Sequence, residues 1–473
     1  MSDGDSGVNL GPDEIAVRGN IVARIDRLPL TSQLWVYALV SQFFWASVLS
    51  LDPIALRLYP VVWLPAHAFS HLQYDILVGF ENGAGVLFGQ VLFTFLADRY
   101  GRKPLMIVSC VVAFVFAWPI AYTSSWPLLM IFVSLAAFGV GGALGLANVY
   151  NVEIAPPSQR GRLTLGSQIL AAIVINLISG LLPYYLLPAH YREWVWITVL
   201  IPVVIAMPLI IFILPESPRW LESRGFADRG DKIVAMMERR AEKQSHKPLP
   251  EPDLSQYTVV VEEHGRVPVS ELFQGVYLRR TIVILSVWVL GYLGLDYGMS
   301  SQQGVYLIAY YSASNLFLIT FLGGLAGSLV MTVLGSILNE RVERRTWIFV
   351  AGVMSFAGAI LYYEWPSVLW VAVIGTALVT GGVLTWAFNG YTMIPVAYPT
   401  RLRATASGFT DGLGHVGAVF GPIFAGWLFT ETASTRHIGW FLEFAVLGGL
   451  VPGFISLIWG MRQREAILEV VSR

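Results

Sequence analysis

The stretch PLLMIFVSLAAFGVGGALGLANVY, residues 127–150, contains 24 residues and no charged side chain. A transmembrane helix needs about 20 consecutive, mostly apolar residues, so this stretch is long enough to cross a bilayer. Eleven further stretches of the chain share its apolar character. The sequence therefore predicts twelve transmembrane helices, near residues 34–60, 76–97, 105–123, 127–150, 163–188, 193–213, 281–311, 313–337, 346–363, 367–391, 404–429 and 438–460.

The composition excludes a water-soluble enzyme. Of 473 residues, 55% are apolar and only 13% are charged, which leaves too few polar side chains to cover a soluble core. Backbone polar groups in lipid must bond within their own segment, so we expect an all-α protein embedded in a lipid bilayer. The net charge of −1 indicates no nucleic-acid partner. The single cysteine, Cys110, matches neither a disulfide nor a metal site, and we expect no metal and no cofactor.

The distribution of basic residues predicts the orientation. Of 30 lysines and arginines, 27 fall in the tails and in the loops on one side, whereas the other side has only Arg57, Arg192 and Arg436. The positive-inside rule places both termini in the cytoplasm. The loop between the sixth and seventh spans is on the same side. Within it, apolar residues amid Arg, Lys and Glu predict a surface helix over 227–244, either solvated or lying on the membrane.

The chain contains an internal repeat. DRYGRK at 98–103 is followed 242 residues later by ERVERR at 340–345, and EIAP at 153–156 is followed 243 residues later by VAYP at 396–399. Two landmark pairs at nearly one offset predict a six-helix unit used twice, which is typical of transporters. The predicted parts are a cytoplasmic tail 1–33, a lobe 34–213, a cytoplasmic linker 214–280, a second lobe 281–460 and a cytoplasmic tail 461–473.

Four motifs carry a family resemblance. They are DRYGRK at 98–103, EIAPPSQRGR at 153–162, PESPRWL at 215–221 and YPTRLRA at 398–404, in this order and at predicted helix ends. Over nearly its whole length the chain resembles the major facilitator superfamily, in its sugar-porter and metabolite:proton-symporter branch. The resemblance implies twelve helices in two lobes, alternating access by rocking, a small-molecule substrate, a location in the plasma membrane and function as a monomer.

The substrate is less defined by this resemblance. The segment IDRLPL at 25–30 resembles the entry of organic-acid members and favours uptake of a small organic acid together with protons. An uncoupled facilitator or a sugar or polyol porter is the alternative, favoured by PESPR at 215–219. A transporter-like receptor is a further alternative, which the intact loop motifs oppose. No phosphate-binding loop of the ATPase kind is present, so ATP does not drive the transport.

Charged residues of these motifs fall at cytoplasmic helix ends, where ion pairs can hold neighbouring helices together while that face is closed. The resemblance makes them gate residues that do not contact substrate, whereas plain topology also requires cytoplasmic arginines. We expect Asp98 to pair with the arginines near it, and Glu153 with Arg160 and Arg162. The gate candidates are Asp98, Arg99, Gly101, Arg102, Lys103, Glu153, Arg160, Gly161, Arg162, Glu216, Arg219, Arg341, Arg344, Arg345 and Arg403.

Ionisable residues inside the predicted spans are costly and usually functional. Asp411 and His415 lie on one helical face, one turn apart, where they can relay a proton. In the alternative, Asp411 pairs with Arg401 or Arg403, and His415 is a packing residue. Organic-acid members usually have two acids in span 1 where this chain has Trp45 and Val48. Another acid must therefore carry the proton. The candidates are Asp296, Glu81, Asp411, His415 and Asp52, with Asp296 as our first choice.

Substrate contacts are predicted from polar and aromatic residues inside the spans. Asp52 precedes Pro53, so span 1 is expected to break there, and Arg57 lies one turn later. In the family that the chain resembles, the first helix of each half lines the cavity, so the resemblance implies that Arg57 is an anion anchor. The alternatives are that Arg57 reaches the outer interface and that the aromatic residues only pack. The binding candidates are Arg57, Trp45, Asn148, Gln168, Trp288, Tyr292, Tyr297, Trp386 and Asn389.

Overall fold

The fold was analysed in a computed structural model. The residues it describes are 21, 23–52, 54–156, 159–252, 269–300, 302–338, 342–398, 400–432 and 439–461. Within these residues the chain is helical and contains no strand. The prediction of an all-α membrane protein is confirmed.

A helix lies at each of the six predicted positions of the first half. The first two begin with side-chain caps: Thr31 accepts a bond from the backbone of Leu34, and Ser70 and Gln73 form a reciprocal capping box. The six spans are Ser32–Leu49 with Ile54–Leu58 and Tyr59–Trp63; His71–Gly79 with Phe80–Val86 and Leu87–Tyr100; Arg102–Ala117 with Trp118–Tyr122; Trp126–Ile154; Arg160–Asn176 with Leu177–Leu181 and Leu182–Leu186; and Tyr191–Ile201 with Pro202–Ala206 and Met207–Ile213.

The second half repeats this pattern after two linker helices, Pro218–Ser223 and Ala227–Ser245. The second of these helices confirms the predicted surface helix. The short 3₁₀ turn Val269–Phe273 then leads into span 7. The spans are Gly275–Leu290 with Gly291–Ser300 and Gln303–Leu307; Ala313–Leu338; Arg344–Glu364; Leu369–Ala397; Thr400–Thr432; and Gly439–Ala445 with Val446–Leu450 and Val451–Trp459.

Most of these helices have the length and composition of membrane spans. Among the described residues ten qualify, and span 1, counted as one bent pair, makes eleven. The predicted span 404–429 corresponds to the helix Thr400–Thr432, which is not among the eleven and contains Arg401, Arg403 and Asp411. It nevertheless packs along spans 2 and 7. The predicted break of span 1 is confirmed, because Ile54–Trp63 departs by 48° from the direction of Ser32–Leu49.

Six spans contain a π-helical stretch, in which the turns are wider than in an α-helix. Two of these stretches contain candidate acids: Glu81 lies in the stretch of span 2, and Asp296 lies in that of span 7. The six stretches of the described chain are Tyr59–Trp63, Phe80–Val86, Leu177–Leu181, Pro202–Ala206, Gly291–Ser300 and Val446–Leu450.

Within the described residues, the most extensive contacts between the two halves are those of span 2 with span 11 and of span 5 with span 8. Glycines allow the first pair to approach closely, since a methyl group at Gly79 would lie 2.7 Å from the carbonyl oxygen of Val419 and one at Gly83 would overlap the Val419 side chain. In the second pair, a methyl group at Gly180 would lie 2.9 Å from the Cα of Phe321. Small residues thus provide the contact between the halves.

The segment before span 1 is attached to the linker. Arg24 and Arg27 form ion pairs of 2.6 Å and 2.5 Å with Glu238 of the helix Ala227–Ser245, and Arg219 pairs with Asp26. Beneath these pairs, Leu28 packs in an apolar cluster with the buried face of the same helix. The linker helices are therefore held against the first half of the chain.

Candidate functional site

Three predicted coupling acids lie together between the halves. Asp52 stands at the break of span 1 and interacts electrostatically with Glu81 of span 2 and Asp296 of span 7. One oxygen of Asp52 and Oε2 of Glu81 are buried and have no hydrogen-bond partner. The break in span 1 and the π-helical stretches of spans 2 and 7 carry these three carboxyl groups. Within the described residues, no cluster of His, Cys, Asp and Glu is arranged to hold a metal ion.

Arg57 lies beside this acid group with two tyrosines. The Nε of Arg57 and the hydroxyls of Tyr59 and Tyr74 are buried and have no hydrogen-bond partner. The rings of Tyr59 and Tyr74 stack with centroids 4.0 Å apart, and Tyr74 interacts electrostatically with both Arg57 and Glu81. Buried polar atoms are nearly always bonded in folded proteins. This group of donors on spans 1 and 2, here called the Arg57 site, is therefore a candidate ligand site.

Asp411 and His415 occupy a different kind of site. Asp411 is 1% exposed, and its two oxygens accept bonds from Gln90 Nε2 at 2.6 Å and from the Tyr292 hydroxyl at 3.0 Å. His415 Nδ1 lies 3.0 Å from the backbone oxygen of Asp411 and 4.0 Å from its carboxylate. This Asp411 site joins spans 2, 7 and 11. The side chains of Arg401 and Arg403, the alternative partners, lie outside the described residues.

The aromatic candidates of the second half pack against one another. Trp288 contacts Trp386 and Tyr391 at centroid distances of 5.1 Å and 4.7 Å, and Tyr292 lies 4.9 Å from Trp386. Trp386 donates its Nε1 hydrogen to the backbone of Val287 at 2.9 Å. The rings of Trp288, Tyr292 and Trp386 are buried, whereas Tyr391 is half-buried and the Nε1 of Trp288 is buried without a hydrogen-bond partner. The ring contacts match the packing alternative, and a role of these residues in binding stays a prediction.

The other binding candidates are dispersed. Asn148 and Asn389 donate to backbone oxygens of their own helices, at 3.2 Å and 2.8 Å. The Nε1 of Trp45 and the Oε1 of Gln168 are buried without a partner on spans 1 and 5. The side chain of Tyr297 lies outside the described residues. No described contact brings these residues to the Arg57 site.

The gate motifs form a network within the first half. Arg102 pairs with Glu153 at 2.7 Å, whereas the predicted partner Arg162 is exposed. The carboxylate of Glu216 accepts bonds from the backbone N–H groups of Arg102 and Lys103, at 3.1 Å and 3.2 Å. Arg102 at the start of span 3 therefore contacts Glu153 at the end of span 4. Through Glu216, the same network joins these two spans to the linker.

Further contacts extend this network. Arg219 Nε donates to the backbone oxygen of Glu153 at 2.9 Å, and Lys103 Nζ donates to two carbonyls at the end of span 6. Gly101 has φ 101°, which explains a glycine at this turn. In the second half, Arg345 donates to the backbone of Leu457 at 3.2 Å. Arg99 lies over the ring of Tyr100, and Arg344 is half-buried and interacts electrostatically with Glu343. The other gate candidates fall outside the described residues: the side chains of Asp98, Arg160 and Arg403, the surroundings of Gly161, and the whole of Arg341.

Asp75, Gln302 and Gln90 were not predicted from the sequence. Asp75 lies one residue before the predicted start of span 2, but the helix begins at His71 and buries Asp75 to 2% exposure. Its Oδ1 accepts a bond from Gln302 Nε2 of span 7 at 2.9 Å. The capping pattern of Ser70 and Gln73 was the local signal for the earlier start. The partnership of Gln90 with Asp411 has no local signal.

The comparisons with known proteins agree with this architecture. Residues 82–458 match the family model described as sugar (and other) transporter. A putative metabolite transport protein of Bacillus subtilis, YyaJ, is 28% identical over 91% of this chain and 92% of its own. The niacin transporter NiaP of Acinetobacter baylyi is 25% identical over 85% of this chain and 89% of its own. The xylose transporter XylE of Escherichia coli, in a partially occluded inward-open conformation, superposes with a TM-score of 0.65 at 16% identity, covering 96% of this chain and all of that one. The chain belongs to the sugar (and other) transporter family of the major facilitator superfamily, and it is a multi-pass membrane transporter rather than an enzyme.

Proposed function

We propose that this protein takes up a small organic acid across the plasma membrane together with protons, by alternating access. The observation that carries this proposal is the Arg57 site, where a buried guanidinium nitrogen and two tyrosine hydroxyls have no partner. A carboxylate accepts hydrogen bonds from such donors, and bonds between charged groups are the strongest of this kind. A bound organic acid would satisfy these donors.

The relatives support this substrate class. Besides the niacin transporter of Acinetobacter baylyi, a putative niacin/nicotinamide transporter of Bacillus subtilis is 26% identical over 83% of this chain. Niacin is a monocarboxylic acid, which is the chemistry that the Arg57 site would accept.

Proton coupling is supported by the acids Asp52, Glu81 and Asp296. Like charges in a site of low dielectric oppose one another's ionisation, so we propose that one of these carboxyl groups binds the coupling proton. Asp52 and Arg57 share the broken part of span 1. Binding of an anion at Arg57 and of a proton among the acids would therefore affect the same stretch of helix, which is what coupling requires.

A sugar or polyol porter is the second candidate. The arabinose-proton symporter of Bacillus subtilis is 26% identical over 71% of this chain, and the solved structures with this fold include a proton:xylose symporter. The hydroxyls of Tyr59 and Tyr74, which have no hydrogen-bond partner, would also bond to the hydroxyl groups of a sugar.

The test uses purified protein in liposomes, offered monocarboxylates, aromatic acids, sugars and polyols with and without an inward proton gradient. We expect accumulation of an organic acid that depends on the gradient. In Asp296→Asn, exchange of substrate across the membrane should persist while accumulation is lost, because exchange does not require a proton to be released. Glu443→Gln is the control, since Glu443 is exposed on span 12. Equal uptake with and without the gradient in the unmodified protein would contradict coupling, and accumulation of sugars alone would favour the second candidate.

A further inference from the structure

Asp75 lies in the interface between the two halves. It belongs to span 2, its Oδ1 accepts the amide hydrogen of Gln302 in span 7 at 2.9 Å, and Gln302 itself is buried. On its other side, Asp75 Oδ2 lies against Gly426 of span 11, so closely that a methyl group at position 426 would overlap it. One carboxyl group of the first half thus contacts two spans of the second. It lies near the end of the bundle that the basic-residue pattern predicts to be outside.

Among the residues that the structure describes, few charged groups surround Asp75. From span 1, Tyr59 interacts electrostatically with it, as does Tyr74 of its own helix. His71 lies one turn earlier, with its ring edge-on to Tyr59 at 5.3 Å. Arg57 and Glu81 face Tyr74. Spans 7 and 11 contribute the neutral groups Gln302 and Gly426, and among the described residues no Lys, Arg or His forms an ion pair with Asp75.

This environment suits a neutral carboxyl group better than a carboxylate. A buried charge is costly unless it is paired, and a single amide donor compensates only part of that cost. A protonated carboxyl group can still accept the Gln302 bond at its carbonyl oxygen. When the halves separate at this end, water can reach Asp75 and stabilise its ionised form.

We propose that closure of this end of the transporter takes up one proton at Asp75. The proton comes from water on that side and bonds to one carboxylate oxygen, giving a neutral carboxyl group that Gln302 and Gly426 enclose. Opening returns the same proton to the water. Asp75 is a positioning residue in this scheme, because it links proton binding to the closed conformation without contacting substrate. Its use in transport rests on the proposed function, whereas the linkage between protonation and closure does not.

The experiment measures the closed conformation directly. Spin labels are attached at Ala66→Cys, an exposed position beyond the outer end of span 1, and at Ser314→Cys, an exposed position in the first turn of span 8, with the native cysteine removed as Cys110→Ser. Pulsed electron resonance then gives the distance distribution in lipid nanodiscs from acidic to alkaline pH, without substrate and without a gradient. For one proton, the closed-to-open ratio should change by about tenfold per pH unit across the titration. Asp75→Asn should remain closed at every pH, because the amide cannot ionise.

Gln302→Ala is the matched control. It removes the amide donor but leaves the carboxyl group, so the open fraction should rise while the dependence on pH persists. A purely structural role for Asp75 predicts that Asp75→Asn keeps the pH dependence of the unmodified protein, and that result would overturn the proposal. Absence of any pH dependence in the unmodified protein would also overturn it. Uptake that is independent of a proton gradient would contradict the proposed function and leave this linkage standing.

Discussion

The Arg57 site and the Asp411 site are both polar groups buried among apolar helices, but they differ in how their polar atoms are bonded. At the Arg57 site, a guanidinium nitrogen and two tyrosine hydroxyls have no partner. At the Asp411 site, each carboxylate oxygen accepts a bond from a neighbouring span. Buried donors without partners carry an energetic penalty that a ligand would remove. We interpret the difference as that between a ligand site and a contact that fastens helices together.

Arg57→Gln should have the largest effect on substrate. A hydrogen bond to a charged group contributes about 1.5–3 kcal/mol, so affinity for the transported acid should fall about tenfold to a hundredfold. Equilibrium binding to purified protein measures this change. Arg192→Gln, which alters an exposed arginine on the same predicted side, is the control and should leave affinity unchanged. An Arg57→Gln protein with full affinity would remove the distinction between the two sites.

Two tyrosine substitutions, one at each site, should differ in their effect on the stability of the protein. Tyr292→Phe deprives the buried Asp411 of a donor and should lower the free energy of unfolding by about 1–3 kcal/mol. Tyr74→Phe removes a hydroxyl that bonds to nothing, so stability should be preserved while substrate affinity falls. Thermal unfolding in detergent and binding measurements on both variants provide the readout. A large loss of stability in Tyr74→Phe would show that its hydroxyl is already satisfied.

Protonation or substitution of Glu238, which lies away from both sites, should have the smallest effect of these changes. Burial opposes its ionisation, but the hydrogen bonds from Arg24 and Arg27 prevail and hold the pKa of Glu238 below its usual range. Its stabilisation is therefore complete at a pH above the unfolded pKa and is lost as the pH falls through the folded one. Hydrogen exchange in the helix Ala227–Ser245 should accelerate in acid, and Glu238→Gln should show that faster exchange already at neutral pH. Substrate affinity in Glu238→Gln should be unchanged. A loss of affinity would mean that the linker reaches one of the sites.

Local patterns predicted what is local in this fold. Hydropathy located a helix at each of the twelve positions, the Asp52–Pro53 pair located the bend of span 1, and helical spacing placed His415 one turn from Asp411. The contacts between distant segments were not predictable. Gln90 and Asp411 are 321 positions apart, and nothing in either neighbourhood specifies the other.

Two contacts that the sequence did not predict have physical causes. Asp75 was missed because hydropathy places the start of a span at its first apolar residues, whereas the capping box starts the helix one turn before them. Glu153 was expected to pair with arginines that follow it in the sequence. It pairs with Arg102, because the start of span 3 lies beside the end of span 4 in the folded chain. Arg162 is exposed, and the side chain of Arg160 lies outside the described residues, so its pairing with Glu153 stays a prediction.

The π-helical stretches have a consequence for assigning residue roles by alignment. Successive residues of an α-helix are rotated by about 100°, so one residue accommodated in a wide turn moves every later side chain to a different face. Glu81 and Asp296 both lie inside such stretches. An alignment without gaps against a relative that is α-helical there would equate residues that point in different directions. Equivalent positions in spans 2 and 7 have to be found by superposing coordinates rather than by counting along the chain.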